Sequence, residues 1–290
     1  MVSPGTATPG PTRAAAPETP FFFESDDRPC YAVSHAAAQS RKGAPVLVHV
    51  HSLGIEQLTL YRQEVLVARA SAARGIPALR YHSRGHGDSA GDFAAVSLAR
   101  LVTDARHAAD EAKRRSGATR VAWLGVRFGA LVAALAARER TDTAGFALWE
   151  PVLKPADHFR AQLRFLLFSR IAGGVRPEAT ADQLLAQARA GGEVDVNGYL
   201  LHREILESSD GASLADALAG TRVPVLLAQV QQRAKLSPGF EALCTALRAG
   251  GAAVSTALIH EEPGYQNIAN PAWESPPLTR AILEWLDALA

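Results

Sequence analysis

Gly125, Val126, Arg127, Phe128 and Gly129 follow the apolar run 120–124 and precede a strongly helical segment, so they have the frame of a GxSxG turn between strand and helix. In such a turn the central side chain is pushed to the top of a sheet. The glycines allow close backbone approach, and the helix N-terminus offers amides to an anion. Here the central residue is arginine. Its guanidinium stays protonated at physiological pH and has no lone pair of useful basicity, which excludes hydrolysis through an acyl-enzyme at this position. What it can do is present a planar fork of donors to a carboxylate, a phosphate or a developing oxyanion, with Val126 and Phe128 flanking the same spot. The other reading is that Arg127 pairs with a carboxylate, Glu150 or Glu262, and holds an emptied site together.

A second polar cluster, His49, His51, Ser52 and Glu56, closes the apolar run 45–51. His49 and His51 are two apart and share a face of an extended chain, while Ser52 points the other way or begins the loop. His51 and Ser52 are therefore candidates to line a pocket, and His82 and Ser83, after the run 78–81, can line the same one. His49, His51 and Glu56 have neither HxxxH nor HExxH spacing, so hydrogen-bonded loop residues are expected rather than a metal site. The turn from Arg84 to Ser89 needs side-chain hydrogen bonds to fix its backbone, a bracing role for His86 and Asp88. Cys30 and Cys244 have no metal or disulfide spacing and read as reduced thiols. No cofactor is implied.

These residues need a scaffold that brings distant segments to one edge. Apolar runs at 45–51, 78–81, 120–124, 144–149, 223–229 and 254–259 alternate with segments of helical spacing, such as Leu58, Tyr61, Val65 and Ala68, or Leu98, Leu101, Ala105 and Ala108. Strands apolar throughout are buried on both faces. The series therefore predicts an α/β fold, a mostly parallel central sheet flanked by helices, with functional residues just after strand C-termini. Runs 21–25 and 30–35 predict an antiparallel edge hairpin. Between 151 and 220 the strand signal lapses, and helical patterns that include 159–171 and 199–206 predict a helical cap. The segment 278–289 predicts a packing helix. The expected organisation is a disordered polar arm at 1–20 without the apolar stretch of a secretory signal, a core of 21–150 and 221–290, and a cap of 151–220.

Thirty Lys plus Arg against 29 Asp plus Glu give a formal net charge of +1 over 290 residues. That balance leaves no electrostatic footprint for nucleic acid or an anionic membrane, and no apolar run approaches the roughly 20 residues of a membrane span. A small-molecule or peptide ligand and a cytoplasmic location are the expectations. Nothing in the sequence sets the oligomeric state.

Over roughly residues 21–290, the chain resembles the α/β-hydrolase superfamily, and it is most similar to the atypical, exosortase-associated hydrolases in which arginine occurs inside this elbow. The resemblance rests on the frame at 125–129, on the RGHGxS-like turn from Arg84 to Ser89, on Leu148, Trp149, Glu150 and Pro151 at the start of the cap, and on 45–52 as the strand leading into an oxyanion loop. It implies an α/β-hydrolase fold with a helical cap insertion, and a triad whose acid and histidine follow later strands. After 223–229 come Val230, Gln231, Gln232 and Arg233, with no acid. The resemblance then passes the acid role to Glu150, after the preceding core strand. The family histidine follows the final strand, which points to His260. That residue sits early for the usual loop, so Glu262 is the other candidate to fill the site.

Three functions fit these residues. In the first, an enzyme keeps the pocket and changes the chemistry, with Arg127 clamping an anionic group while His260 or Glu150 moves a proton or activates water. The second is a catalytically silent, ligand-binding pseudo-hydrolase. The third is a hydrolase whose nucleophile has moved to Ser52 or Ser83, neither of which occupies an elbow. The elbow residue predicts that a fluorophosphonate probe leaves the protein unlabelled, and that Arg127→Ser restores little or no esterase activity because the usual acid is also missing. Intact-mass measurement checks the first, and stoichiometric adducts on Ser52 or Ser83 would establish the displaced nucleophile.

Overall fold

In the computed structural model the described residues are 17–266 and 272–290. Residues 1–16 of the expected arm lie outside them, and its end at 18–20 belongs to the first strand. The edge hairpin consists of β1 (Glu18–Ser25) and β2 (Arg28–His35). Asp26 and Asp27 join them with φ of 47° and 59°, the left-handed pair that a tight two-residue hairpin turn requires.

The core then alternates β3 (Val46–Val50), α1 (Ile55–Ala73), β4 (Ala78–Tyr81), α2 (Leu98–Ser116), β5 (Val121–Val126), α3 (Gly129–Ala137) and β6 (Thr143–Trp149). An insertion follows, with α4 (Pro155–Ala172), α5 (Ala181–Arg189), β7 (Asp195–Val196), β8 (Tyr199–Leu200), α6 (Arg203–Ser208) and α7 (Leu214–Ala217). The chain closes with β9 (Val225–Val230), α8 (Pro238–Ala249), β10 (Val254–Ile259) and α9 (Pro276–Asp287). The main sheet has the order β1-β2-β4-β3-β5-β6-β9-β10. Its first two pairings are antiparallel and the rest parallel.

The apolar runs are explained by two cores. Val46, Val48, Trp123, Phe146 and Leu148 face Leu101, Ala105 and Leu131 of α2 and α3. Leu47, Leu124, Val126 and Trp149 face Leu60 and Val67 of α1 and Leu278, Ile282 and Leu286 of α9. A strand covered on both sides has no position that water selects to be polar.

Two expectations are corrected. His49 and His51 do not share a face: β3 ends at Val50, so His51 belongs to the loop, whereas His49 is buried beside Arg80 and His35. The helical reading of 199–206 holds only from Arg203, because Tyr199 and Leu200 pair with Val196 and Asp195. Asn197 and Gly198 turn that hairpin with φ of 55° and 90°. An Asn-Gly pair is a hairpin signal that outweighs three residues of helical spacing.

Beneath α1 lies a buried polar layer in which Arg80 Nε donates to His35 Nε2 at 3.0 Å. Glu64 is 3% exposed, and its Oε1 has no hydrogen-bond partner among the described residues. Burial pushes its carboxyl up to about 8 from an ordinary 4.5, against the pull of Arg80. Glu64 is therefore protonated in the folded chain and ionised in the unfolded one across that window, so unfolding releases a proton and rising pH favours it. Glu64→Gln should remove this term. Urea unfolding should show the variant gaining roughly 2–4 kcal/mol over wild type between about pH 5 and pH 8, and parallel pH profiles for the two proteins would refute the assignment.

Candidate functional site

β5 runs through Val126, two residues beyond the apolar run in the sequence, so the reversal is confined to Arg127 and Phe128 before α3 begins. Arg127 has φ of 52°. A Cβ on Gly129 would lie 2.0 Å from the Val50 carbonyl oxygen, and one on Gly125 would lie 2.4 Å from Ala130 Cα. Both glycines are there because backbone occupies the space a side chain would need. The Arg127 N–H donates to the Trp149 carbonyl at 2.9 Å, and the Val152 N–H donates to the Arg127 carbonyl at 3.1 Å. These bonds tie the elbow to the end of β6, where Glu150 also has positive φ, 47°.

The Arg127 side chain is 13% exposed and is held on several sides. Its Nη2 and Nε donate to Oε1 and Oε2 of Glu56 at 3.0 and 3.3 Å, a bidentate pair, and Nη1 donates to the Glu150 carbonyl at 3.0 Å. The guanidinium carbon lies 3.8 Å from the centre of the Tyr265 ring. Ser52 Oγ donates to Glu56 Oε2 at 2.7 Å. Burial by itself would raise the Glu56 carboxyl, but the charge of Arg127 and the hydrogen bonds from Arg127 and Ser52 outweigh it and hold the group below its ordinary value. Glu56 is thus ionised, and it neutralises the arginine.

Glu150 accepts a hydrogen bond from the Val230 N–H at the end of β9 and another from Tyr265. Its carboxyl is pushed up to about 7, mainly by burial and also by Glu56, against the pull of Arg127 and these two donors. Its Oε2 is 3.9 Å from Arg127 Nη1. Next to this cluster is a cavity of about 280 Å³, lined by Glu56, Arg127, His158, Gln162, Phe165, Val196, Asn197 and Tyr265, together with Ile55 and Ala161. It lies between the C-terminal edge of the sheet and α4. His158, on α4, is pushed down to about 4 by burial, with Arg127 acting the same way and Glu56 opposing.

The expected site residues therefore divide. Arg127 and Glu150 come together, but the carboxylate gripping the arginine is Glu56. The sequence signal was its place four residues after Ser52, on the first turn of α1. Val126 and Phe128 are fully buried core side chains outside the cavity lining. His51 is buried in the loop. Its Nε2 accepts from the Ser83 N–H at 3.0 Å, so Nδ1 carries the proton and meets the Ser52 carbonyl at 2.6 Å. Burial keeps this ring neutral, well below its ordinary pKa. His260 and Glu262 are exposed and do not line the cavity. Ile259 turns into the core, so the residue after it points outward. Tyr265, five residues on, reaches the elbow instead, and nothing in residue type marked it beyond its place in the loop after the last strand. Among the described residues, no group of three or more His, Cys, Asp or Glu is arranged to hold a metal ion.

A mostly parallel sheet with a glycine-framed strand–turn–helix elbow at its C-terminal edge defines an α/β-hydrolase-fold protein. More narrowly, the chain belongs to the serine aminopeptidase S33 family, whose profile matches residues 33–199, more than half of its length. Its structure is similar to that of Est1E from Butyrivibrio proteoclasticus with ferulic acid bound, at 19% identity, covering 91% of this chain and 98% of that one with a TM-score of 0.63. It is also similar to the Pyrococcus furiosus esterase PF2001, at 13% identity, covering 100% and 97% with a TM-score of 0.66. At these identities the likeness establishes the fold. No curated protein matches the chain.

Replacing Arg127 by Met strands the buried Glu56 charge and should cost roughly 3–5 kcal/mol of stability. Arg127→Lys keeps the charge but loses the planar fork, for a smaller cost of about 1–3 kcal/mol. Adding Glu56→Gln to Arg127→Met should recover part of the loss, the non-additivity expected of two partners in contact. Urea unfolding of the four proteins tests this, and an Arg127→Met variant as stable as wild type would contradict the pairing.

Proposed function

We propose that this chain is a ligand-binding member of the α/β-hydrolase fold that performs no acyl-enzyme chemistry. The observation that carries the reading is that Arg127 stands at the nucleophile station with its fork spent on Glu56. A guanidinium cannot attack a carbonyl, and one already bonded to a carboxylate is a weak anion clamp. The displaced serines do not supply a substitute. Ser52 and Ser83 are 0% and 2% exposed, and Ser52 donates its proton to a carboxylate that its ion pair keeps weakly basic.

What remains is the cavity. The Arg127 and Glu56 charges cancel at its floor, and its other polar side chains are Gln162, Asn197, Tyr265 and the neutral His158. Ile55, Ala161, Phe165 and Val196 supply apolar surface. The ligand is a small neutral or amphipathic molecule, or a peptide end, that offers hydrogen-bonding groups such as amides or hydroxyls. An anionic group on the ligand can still meet the two N–H bonds of Arg127 left over from five, after two to Glu56 and one to Glu150.

A second reading has its own support: Tyr265 both lines the cavity and hydrogen-bonds Glu150, whose carboxyl is pushed up to about 7. That arrangement can pass a proton between Glu150 and a ligand through the phenol, the work of a proton-transfer enzyme.

Wild-type protein should turn over p-nitrophenyl esters and aminoacyl p-nitroanilides no faster than buffer. A small-molecule thermal-shift screen should yield stabilising ligands whose effect is lost in Gln162→Leu and Asn197→Leu. Turnover that Arg127→Lys leaves intact and Tyr265→Phe abolishes would replace the binding reading by the relay. Turnover insensitive to both would refute the site.

A further inference from the structure

We propose that the C-terminal half of α4 and the turn after it form a docking surface for an anionic lipid membrane. Six large apolar side chains are exposed among the described residues, and four of them, Phe165, Phe168, Ile171 and Val175, lie in this one stretch. Phe168, Ile171 and Val175 are 68%, 58% and 56% exposed. The opposite side of α4 is already satisfied, since Phe159, Leu163 and Leu166 are buried in the core. The helix is thus apolar on two sides, and packing within the chain explains only one of them.

Within this stretch the charge has one sign. Residues 164–177 contain Arg164, Arg170 and Arg176 and no Asp or Glu. All three arginines are exposed. Glu178 lies just beyond the turn and is exposed, and Asp182 lines the facing side of the groove, where Arg160 pairs with it at 2.8 Å; Asp157 lies 3.8 Å from the same arginine. Phe168, Ile171 and Val175 line an open groove of about 850 Å³ together with Arg164 and Arg176.

Aromatic and aliphatic side chains that protrude together, flanked by arginines that outnumber the acids beside them, are complementary to an interface where acyl chains lie beneath anionic head groups. No helix among the described residues is long and apolar enough to cross a membrane, so the attachment is peripheral. The net charge of +1 argued against a membrane partner because it averages over the whole chain, whereas docking responds to charge within about one Debye length. Phe165 belongs both to this surface and to the cavity beside Arg127, so docking would set the cavity mouth at the head groups. The proposal does not depend on what the cavity binds.

Co-sedimentation of the full chain with vesicles tests it. The protein should bind vesicles of phosphatidylcholine mixed with phosphatidylglycerol, bind phosphatidylcholine alone far more weakly, and be released by salt. Replacing Arg164, Arg170 and Arg176 by Gln should weaken binding roughly fivefold per residue. Phe168→Ser combined with Ile171→Ser should abolish most of it, with the melting temperature of each variant unchanged. Failure to bind anionic vesicles, equal binding to both compositions, or binding indifferent to these substitutions would overturn the proposal. So would a dimer in solution that the Phe168→Ser and Ile171→Ser variant dissolves, which would make a second copy the occupant.

Discussion

The charge of Arg127 sits where water barely reaches, and an unpaired guanidinium there would cost several kcal/mol. The neighbouring groups are arranged as compensation. Glu56 supplies a carboxylate with both oxygens engaged, and its position on the first turn of α1 adds the favourable end of a helix dipole. Ser52 satisfies a remaining lone pair of that carboxylate, the Glu150 carbonyl takes another guanidinium N–H, and the Tyr265 ring covers the cation from above. With one negative charge already in place, a second is unwelcome. Glu150 is only 3% exposed, and burial together with Glu56 pushes its carboxyl up to about 7. Two carboxylates within reach of one arginine thus have different roles: Glu56 is the counter-ion, and Glu150 can hold a proton.

The backbone that presents these groups is strained in two adjoining places. Arg127 and Glu150 both adopt the left-handed conformation at the ends of neighbouring strands, a cost of about 1–3 kcal/mol for each side-chain-bearing residue. It persists because the two turns are hydrogen-bonded to each other and to β9, through Arg127 to Trp149 and Val152 and through Glu150 to Ala228. The close approach of Gly129 to Val50 then locks the elbow against β3. The geometry that displays a side chain at the top of the sheet is therefore independent of which side chain it is, so an arginine can occupy it without disturbing the fold.

Polar groups are also buried away from this site. His49, Glu64, His35 and Arg80 lie beneath α1, and atoms of the first three lack hydrogen-bond partners among the described residues. This layer makes the folded state favour neutral forms: burial pushes the His49 and His35 rings down and the Glu64 carboxyl up. The two polar regions respond to opposite demands. The elbow keeps an ion pair, whereas the layer under α1 largely discharges its groups.

The sequence by itself determined the scaffold and the chemistry that the elbow excludes. Uniformly apolar runs encode strands covered on both faces, the glycines at 125 and 129 encode a turn that admits only backbone, and an arginine between them cannot be a nucleophile whatever surrounds it. Each of these follows from local residue type and spacing. The tertiary structure decided everything that depends on which distant segments meet. Glu56, 71 residues away, grips Arg127 rather than the side chains of Glu150 or Glu262. Tyr265 rather than His260 reaches the elbow, because the buried Ile259 turns the next residue outward. The 195–200 hairpin was legible in Asn197 and Gly198, but its turn becomes part of a cavity wall only once α4 is laid beside it. The tuning of Glu150 and Glu64 could not be read from their names, since a carboxyl's affinity for its proton is set by the water it loses and the charges it gains, and both are properties of packing.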